Sequence, residues 1–114
     1  MTQQEILEYN KRCAEFLKII TNDGFWVEFD KLMPNEITMS YSKRHHIEHL
    51  LFHSDWNWIM EVIETIEKLK YGVEVVGNYC HIIGAGIYSS QKDKKEAVIK
   101  SINEFLILYN ENRT

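Results

Sequence analysis

The chain is poor in cysteine, proline and positive charge. Its two cysteines, Cys13 and Cys80, lie far apart and in no metal-ligand spacing. Cys13 falls on the apolar stripe of a predicted helix and Cys80 inside a predicted strand. Both therefore read as buried free thiols, which behave as small hydrophobes. A disulfide between them requires a fold that happens to bring them together. The one proline, Pro34, marks a turn at Met33-Pro34-Asn35. No apolar run approaches the ~20 residues needed to cross a bilayer. Residues 1–12 are mostly polar, unlike a signal peptide, so a cytoplasmic protein with no membrane partner is expected. Lys and Arg number 13 against 17 Asp and Glu, a formal net charge of −4. Nonspecific nucleic-acid binding needs a basic face to displace counterions, so nucleic acid is not the expected partner. The small clusters Lys43-Arg44 and Lys92, Lys94, Lys95 read as solvated charge at element ends.

Catalytic motifs are also missing. There is no GxSxG elbow for a serine nucleophile. Gly84-Ala85-Gly86 lacks the third glycine of a dinucleotide fingerprint and the Lys-Ser/Thr of a phosphate loop. It precedes a predicted helix, whose N-terminus could hold an anion; a plain connecting loop is the simpler reading. Glu61, Glu64 and Glu67 run along the polar side of one helix rather than into a pocket. Four histidines, His45, His46, His49 and His53, fall within nine residues. In a helix, His45 and His49 would sit one turn apart and could share a metal ion. The glutamate of an HExxH motif is one position late, however. In an extended segment His45 and His53 would be about 26 Å apart. No metal, cofactor or catalytic residue is assigned.

The hydrophobic fraction is 45% and the length 114 residues, which suits one domain with its own core. Residues 2–20 read as a helix opened by the capping box Thr2/Glu5. Its stripe is Ile6, Cys13, Phe16, Leu17 and Ile20, and Asn22-Asp23-Gly24 stops it. Phe25 to Asp30 alternates as a strand, as do Ile37, Met39 and Tyr41. Residues 42–46 read as loop, and Ile47 to Phe52 as a third strand. Ser54 or Asp55 caps a second helix that runs to Gly72. Its face holds Trp56, Ile59, Met60, Ile63 and Ile66, with Trp58, Val62 and Leu69 at one side. Val73 to Ile83 is a hairpin about Gly77-Asn78. An exposed loop through Ser90 leads to a third helix, Lys92 to about Asn110. The order is then α-β-β-β-α-β-β-α. Helices covering one mostly antiparallel sheet of about five strands would bury all the apolar faces.

The richest segment is Phe52 to Glu64, with two of the three tryptophans beside a helix start. Trp56 lies on the apolar centre line and is expected in the core. Trp58, about 200° away around the helix, is expected to pack at the flank or to anchor a partner. His53, Asp55 and Trp58 are the candidate binding residues. Ser54 and Asp55 read as structural caps with His53 a supporting neighbour. The functional alternative makes His53 and Asp55 an acid–base pair walled by Trp58.

Phe52-His53-Ser54-Asp55-Trp56-Asn57-Trp58-Ile59-Met60, followed by Val62-Ile63-Glu64, resembles a pattern of the phage ABA-sandwich domain family. Glu5-Ile6, Asn10-Lys11 and Phe16-Leu17 resemble its opening, and Val98, Glu104-Phe105 and Tyr109-Asn110 its end. Glu61 stands where family members often have proline, and residues 25–50 do not match. The resemblance implies an α/β fold, a three-layer helix/sheet/helix sandwich, and a viral or prophage origin, but no activity. The resulting expectation is a noncatalytic interaction domain that binds a host or phage protein. The alternative is a small metal- or small-molecule-binding enzyme using the His45–His53 segment.

Overall fold

The computed structural model describes residues 1–19, 26–28 and 44–112. They fall in two compact units, Met1–Trp58 and Ile59–Thr114, divided within one helix. No helix among the described residues is long and apolar enough to cross a membrane.

The first unit opens with α1, Gln3–Phe16. The capping box forms as expected: Glu5 N–H donates to the Thr2 hydroxyl at 3.1 Å, and Thr2 N–H to the Glu5 carboxylate at 3.0 Å. The Thr2 N–H, and after it the Thr2 hydroxyl, hold the Glu5 carboxyl below its ordinary value. The helix stops earlier than residues 22–24. Lys18 takes a left-handed φ of 59°, Lys18 N–H donates to the Glu15 carbonyl, and Ile19 N–H donates to that of Ala14. This is a Schellman ending built on lysine instead of glycine. The buried stripe is Tyr9, Asn10, Cys13 and Ala14. Ile20 and the expected strand at 37–41 lie outside the described residues.

β1 (Trp26–Glu28) pairs antiparallel with β2 (Arg44–His46), so part of the stretch read as loop is a strand. Ile47–His49, read as a strand, is a 3-10 turn capped by His46, whose Nδ1 accepts from Glu48 N–H at 3.3 Å. The apolar residues misled the strand reading because they anchor irregular backbone: Ile47, Leu50 and Phe52 are buried.

α2, Trp56–Lys68, begins at Asp55, whose carboxylate accepts from Asn57 N–H at 2.8 Å. Asp55, not Ser54, is the cap. Trp58 is buried at 2% exposure, edge-on to Phe52 with centroids 5.1 Å apart, while Trp56 is 37% exposed. The expected roles of the two tryptophans are therefore reversed. Ile59, Val62, Ile63 and Ile66 are buried, and Met60 and Leu69 exposed. An apolar stripe this broad leaves its centre line open, and the structure sets it one position round. Beyond α2, Lys70 takes a φ of 75°, so a second lysine stands where glycine is usual, ahead of Gly72.

The second unit carries the three-stranded antiparallel sheet β3 (Gly72–Val76), β4 (Tyr79–Ile83) and β5 (Ile87–Ser90), in that order. The hairpin is as expected: Val76 pairs with Tyr79 across Gly77-Asn78, and only Gly77 has positive φ, as in a type II′ turn. β5 lies where an exposed loop was expected. Its serines do not read as strand formers, yet Ser89 is buried because its hydroxyl donates to the Ala97 carbonyl at 2.9 Å. α3, Lys94–Asn112, starts at Asp93, which accepts from Glu96 N–H at 2.9 Å, and packs on all three strands. Val98, Ile102, Phe105 and Leu106 are buried as expected. Ser101 donates to the Cys80 carbonyl at 3.3 Å across that contact.

Among the described residues the fold is α+β, with three α-helices and no five-stranded sheet. Among the described residues the strands divide between a two-stranded and a three-stranded sheet, in the order α1-β1-β2-α2-β3-β4-β5-α3. The three-layer sandwich fails for a physical reason: Glu74, Val76, Ile83, Tyr88 and Ser90, on the sheet face away from the core, are exposed.

Candidate binding groove

α1 is amphipathic, but one position on its core stripe is polar. Ile6, Asn10 and Cys13 follow at i, i+4 and i+7, so Asn10 is carried inward with its apolar neighbours. It is 3% exposed. Its Nδ2 lies 2.9 Å from His53 Nδ1. An amide nitrogen only donates, so His53 Nδ1 accepts and the neutral ring carries its proton on Nε2. Burial holds the His53 pKa below its ordinary value. Protonation at Nδ1 would also turn the acceptor into a donor facing Asn10. The amide oxygen of Asn10 is buried without any partner. Such an atom costs about 1–3 kcal/mol.

Asn10 and His53 line an open groove of about 420 Å³. α1 adds Gln3, Gln4, Ile6 and Leu7 to the wall, and the 3-10 turn adds Ile47 and Glu48. Apolar side chains thus flank amide groups and one neutral imidazole. A second unmatched atom is the buried Tyr9 hydroxyl. Cys13, one turn on, is its polar neighbour, though short of hydrogen-bond geometry. Burial, with that thiol, pushes the Tyr9 phenol well above its usual range, and burial raises Cys13 likewise.

Of the candidates His53, Asp55 and Trp58, only His53 lines the groove. Asp55 caps α2 and Trp58 is core. His53 and Asp55 are committed to different partners, Asn10 and Asn57. His46 and His49 lie edge to face at 6.4 Å, with His46 capping the 3-10 turn. No three His, Cys, Asp or Glu side chains among the described residues converge as metal ligands would. The sequence reading missed Asn10, Gln3 and Gln4. Its available signal was a lone amide at a core position of the α1 stripe.

No protein-family model matches the chain, and neither a curated protein nor a solved structure does. The likeness to phage proteins therefore rests on the quoted motifs alone.

Proposed function

We propose that the chain is a noncatalytic protein-binding domain whose α1 groove takes a segment of a partner protein. The observation that carries this reading is the open groove, whose wall sets the Gln3, Gln4 and Asn10 amides among apolar side chains. A peptide main chain supplies donors and acceptors to such amides. Gln3 and Gln4 can meet further amide groups, while Ile6, Leu7 and Ile47 take an apolar side chain. The engagement of His53 Nδ1 by Asn10, with no serine, threonine or cysteine among the described residues of the wall, favours binding over nucleophilic chemistry. Phage origin, which the Phe52–Glu64 motif suggests, would place the partner among host or phage proteins.

Peptides selected from a random display library on the immobilised protein provide the test. They should shift the backbone NMR signals of residues 3–10 and of His53. Asn10→Leu should weaken them about tenfold, or about 1.4 kcal/mol. Peptides that bind Asn10→Leu as well as the parent would place the site elsewhere.

A further inference from the structure

The open face of the β3–β5 sheet belongs to the second unit and takes no part in the groove. Strand register sets Glu74, His81 and Tyr88 in one cross-strand row, with Val76, Tyr79 and Ser90 in the next. Alternation points both rows away from α3, since Cys80, Ile82, Ile87 and Ser89 are the buried members of β4 and β5. Tyr88 is 65% exposed, too much for a ring that serves only packing. Three rings cluster here. His81 and Tyr88 have centroids 5.9 Å apart at 86°, and Tyr79 and His81 6.3 Å apart at 53°.

We infer that this face is a docking site for a lysine or arginine side chain of a protein partner. The Tyr88 ring, edge-packed with His81 and largely exposed, offers its negative face to a cation, which binds within ~6 Å of the ring centroid. Charge supports the same occupant. Glu74 stands in the ring row and makes no ion pair among the described residues, the three strands contain no Lys or Arg, and the whole chain is at −4. A nucleic acid would bring phosphate to that carboxylate. A second copy would bring a strand face with no cation of its own.

A short peptide of alternating arginine and glycine is the probe, with a glutamine-for-arginine peptide as its control. The arginine peptide should shift the NMR signals of Glu74, Tyr79, His81 and Tyr88 saturably, and the control should not. Tyr88→Ala should weaken binding about fivefold and Tyr88→Phe should preserve it, as a ring-face contact requires. Glu74→Gln should weaken binding more than Glu64→Gln, which removes an equal exposed charge from α2. Asn10→Leu should have no effect, so this result stands apart from that of the groove. Absence of saturable shifts would overturn the inference. Binding indifferent to Tyr88→Ala would do so too, as would equal losses in the two glutamine variants. A dimer that buries Tyr88 and persists at saturating peptide would show that the occupant is a second copy.

Discussion

The two units treat buried polar groups in opposite ways. In the second, Ser89 and Ser101 are buried and each hydroxyl has a carbonyl acceptor, those of Ala97 and Cys80. In the first, the Asn10 oxygen and the Tyr9 hydroxyl are buried and unmatched. The matched hydroxyls lie where α3 meets its sheet, and they let serine occupy core positions of β5 and α3. The unmatched Asn10 oxygen lies beside a groove. Buried polar groups are nearly always satisfied, so the two unmatched atoms set the first unit apart. Nothing in the structure explains the unmatched Tyr9 hydroxyl.

The largest expected effect tests whether the first unit has a true core despite these gaps. Trp58→Ala should cost about 3–5 kcal/mol in chemical denaturation, as truncation of a buried aromatic generally does. Trp56→Ala, at the exposed position, should cost under about 1 kcal/mol. Equal losses would mean that α2 is rotated from the orientation described.

Asp55→Ala should lower stability by about 0.5–2 kcal/mol, the usual effect of losing an N-cap. Asp93→Ala at α3 makes the same change in the second unit and should fall in the same range. Ser54→Ala should be milder than Asp55→Ala, which separates the observed cap from its neighbour.

The helix ends are alike in the two units. Lys18 and Lys70 both adopt left-handed backbone, at about 1–2 kcal/mol for a residue with a Cβ. Lys18→Gly and Lys70→Gly should each raise stability, by about 1 kcal/mol less the entropy glycine adds to the unfolded chain. Thermal melts would show the shift, and a loss at either site would argue against left-handed backbone there.

The smallest effects concern the unmatched oxygen itself. Asn10→Leu removes an unsatisfied oxygen but strands the His53 Nδ1 acceptor, so the two effects offset and stability should change by less than about 1 kcal/mol. Ser101→Ala in the second unit, which strands a paired carbonyl, should instead cost about 1 kcal/mol. The pH dependence at His53 has a definite sign. Its folded pKa is lowered, so the unfolded chain takes up the proton first as pH falls below about 6.5. The contribution of the neutral ring is intact above that value and is lost as pH falls through the lower folded pKa. His53→Leu should flatten stability between neutral and mildly acid pH, and an unchanged slope would count against the half-buried neutral ring.

Local signals were legible wherever a few neighbouring residues suffice. The Thr2/Glu5 box, the Gly77-Asn78 hairpin, the α3 stripe and the two buried thiols follow from short-range geometry and periodicity. Long-range choices were not. α2 offers apolar residues round much of its circumference, and tertiary packing, with Trp58 edge-on to Phe52, sets Trp58 rather than Trp56 in the core. Ile47 to Phe52 has a strand's composition, yet its apolar side chains are buried by irregular backbone around a 3-10 turn. β5 is stabilised by pairing with β4 and by one serine hydroxyl reaching α3, neither visible in the four residues Ile87–Ser90.

By itself the sequence determined an acidic α+β chain with three amphipathic helices, a central hairpin and thiols in apolar positions. These depend on side-chain period, capping chemistry and turn residues within a few positions of one another. Tertiary structure alone decided which tryptophan is core, that the strands of the described residues divide between two sheets, and that one sheet face stays open. It also joined Asn10 to His53, 43 positions apart, and made a groove of their neighbours. Pairing across such a separation depends on how the chain returns to itself, and no local preference of either residue encodes it.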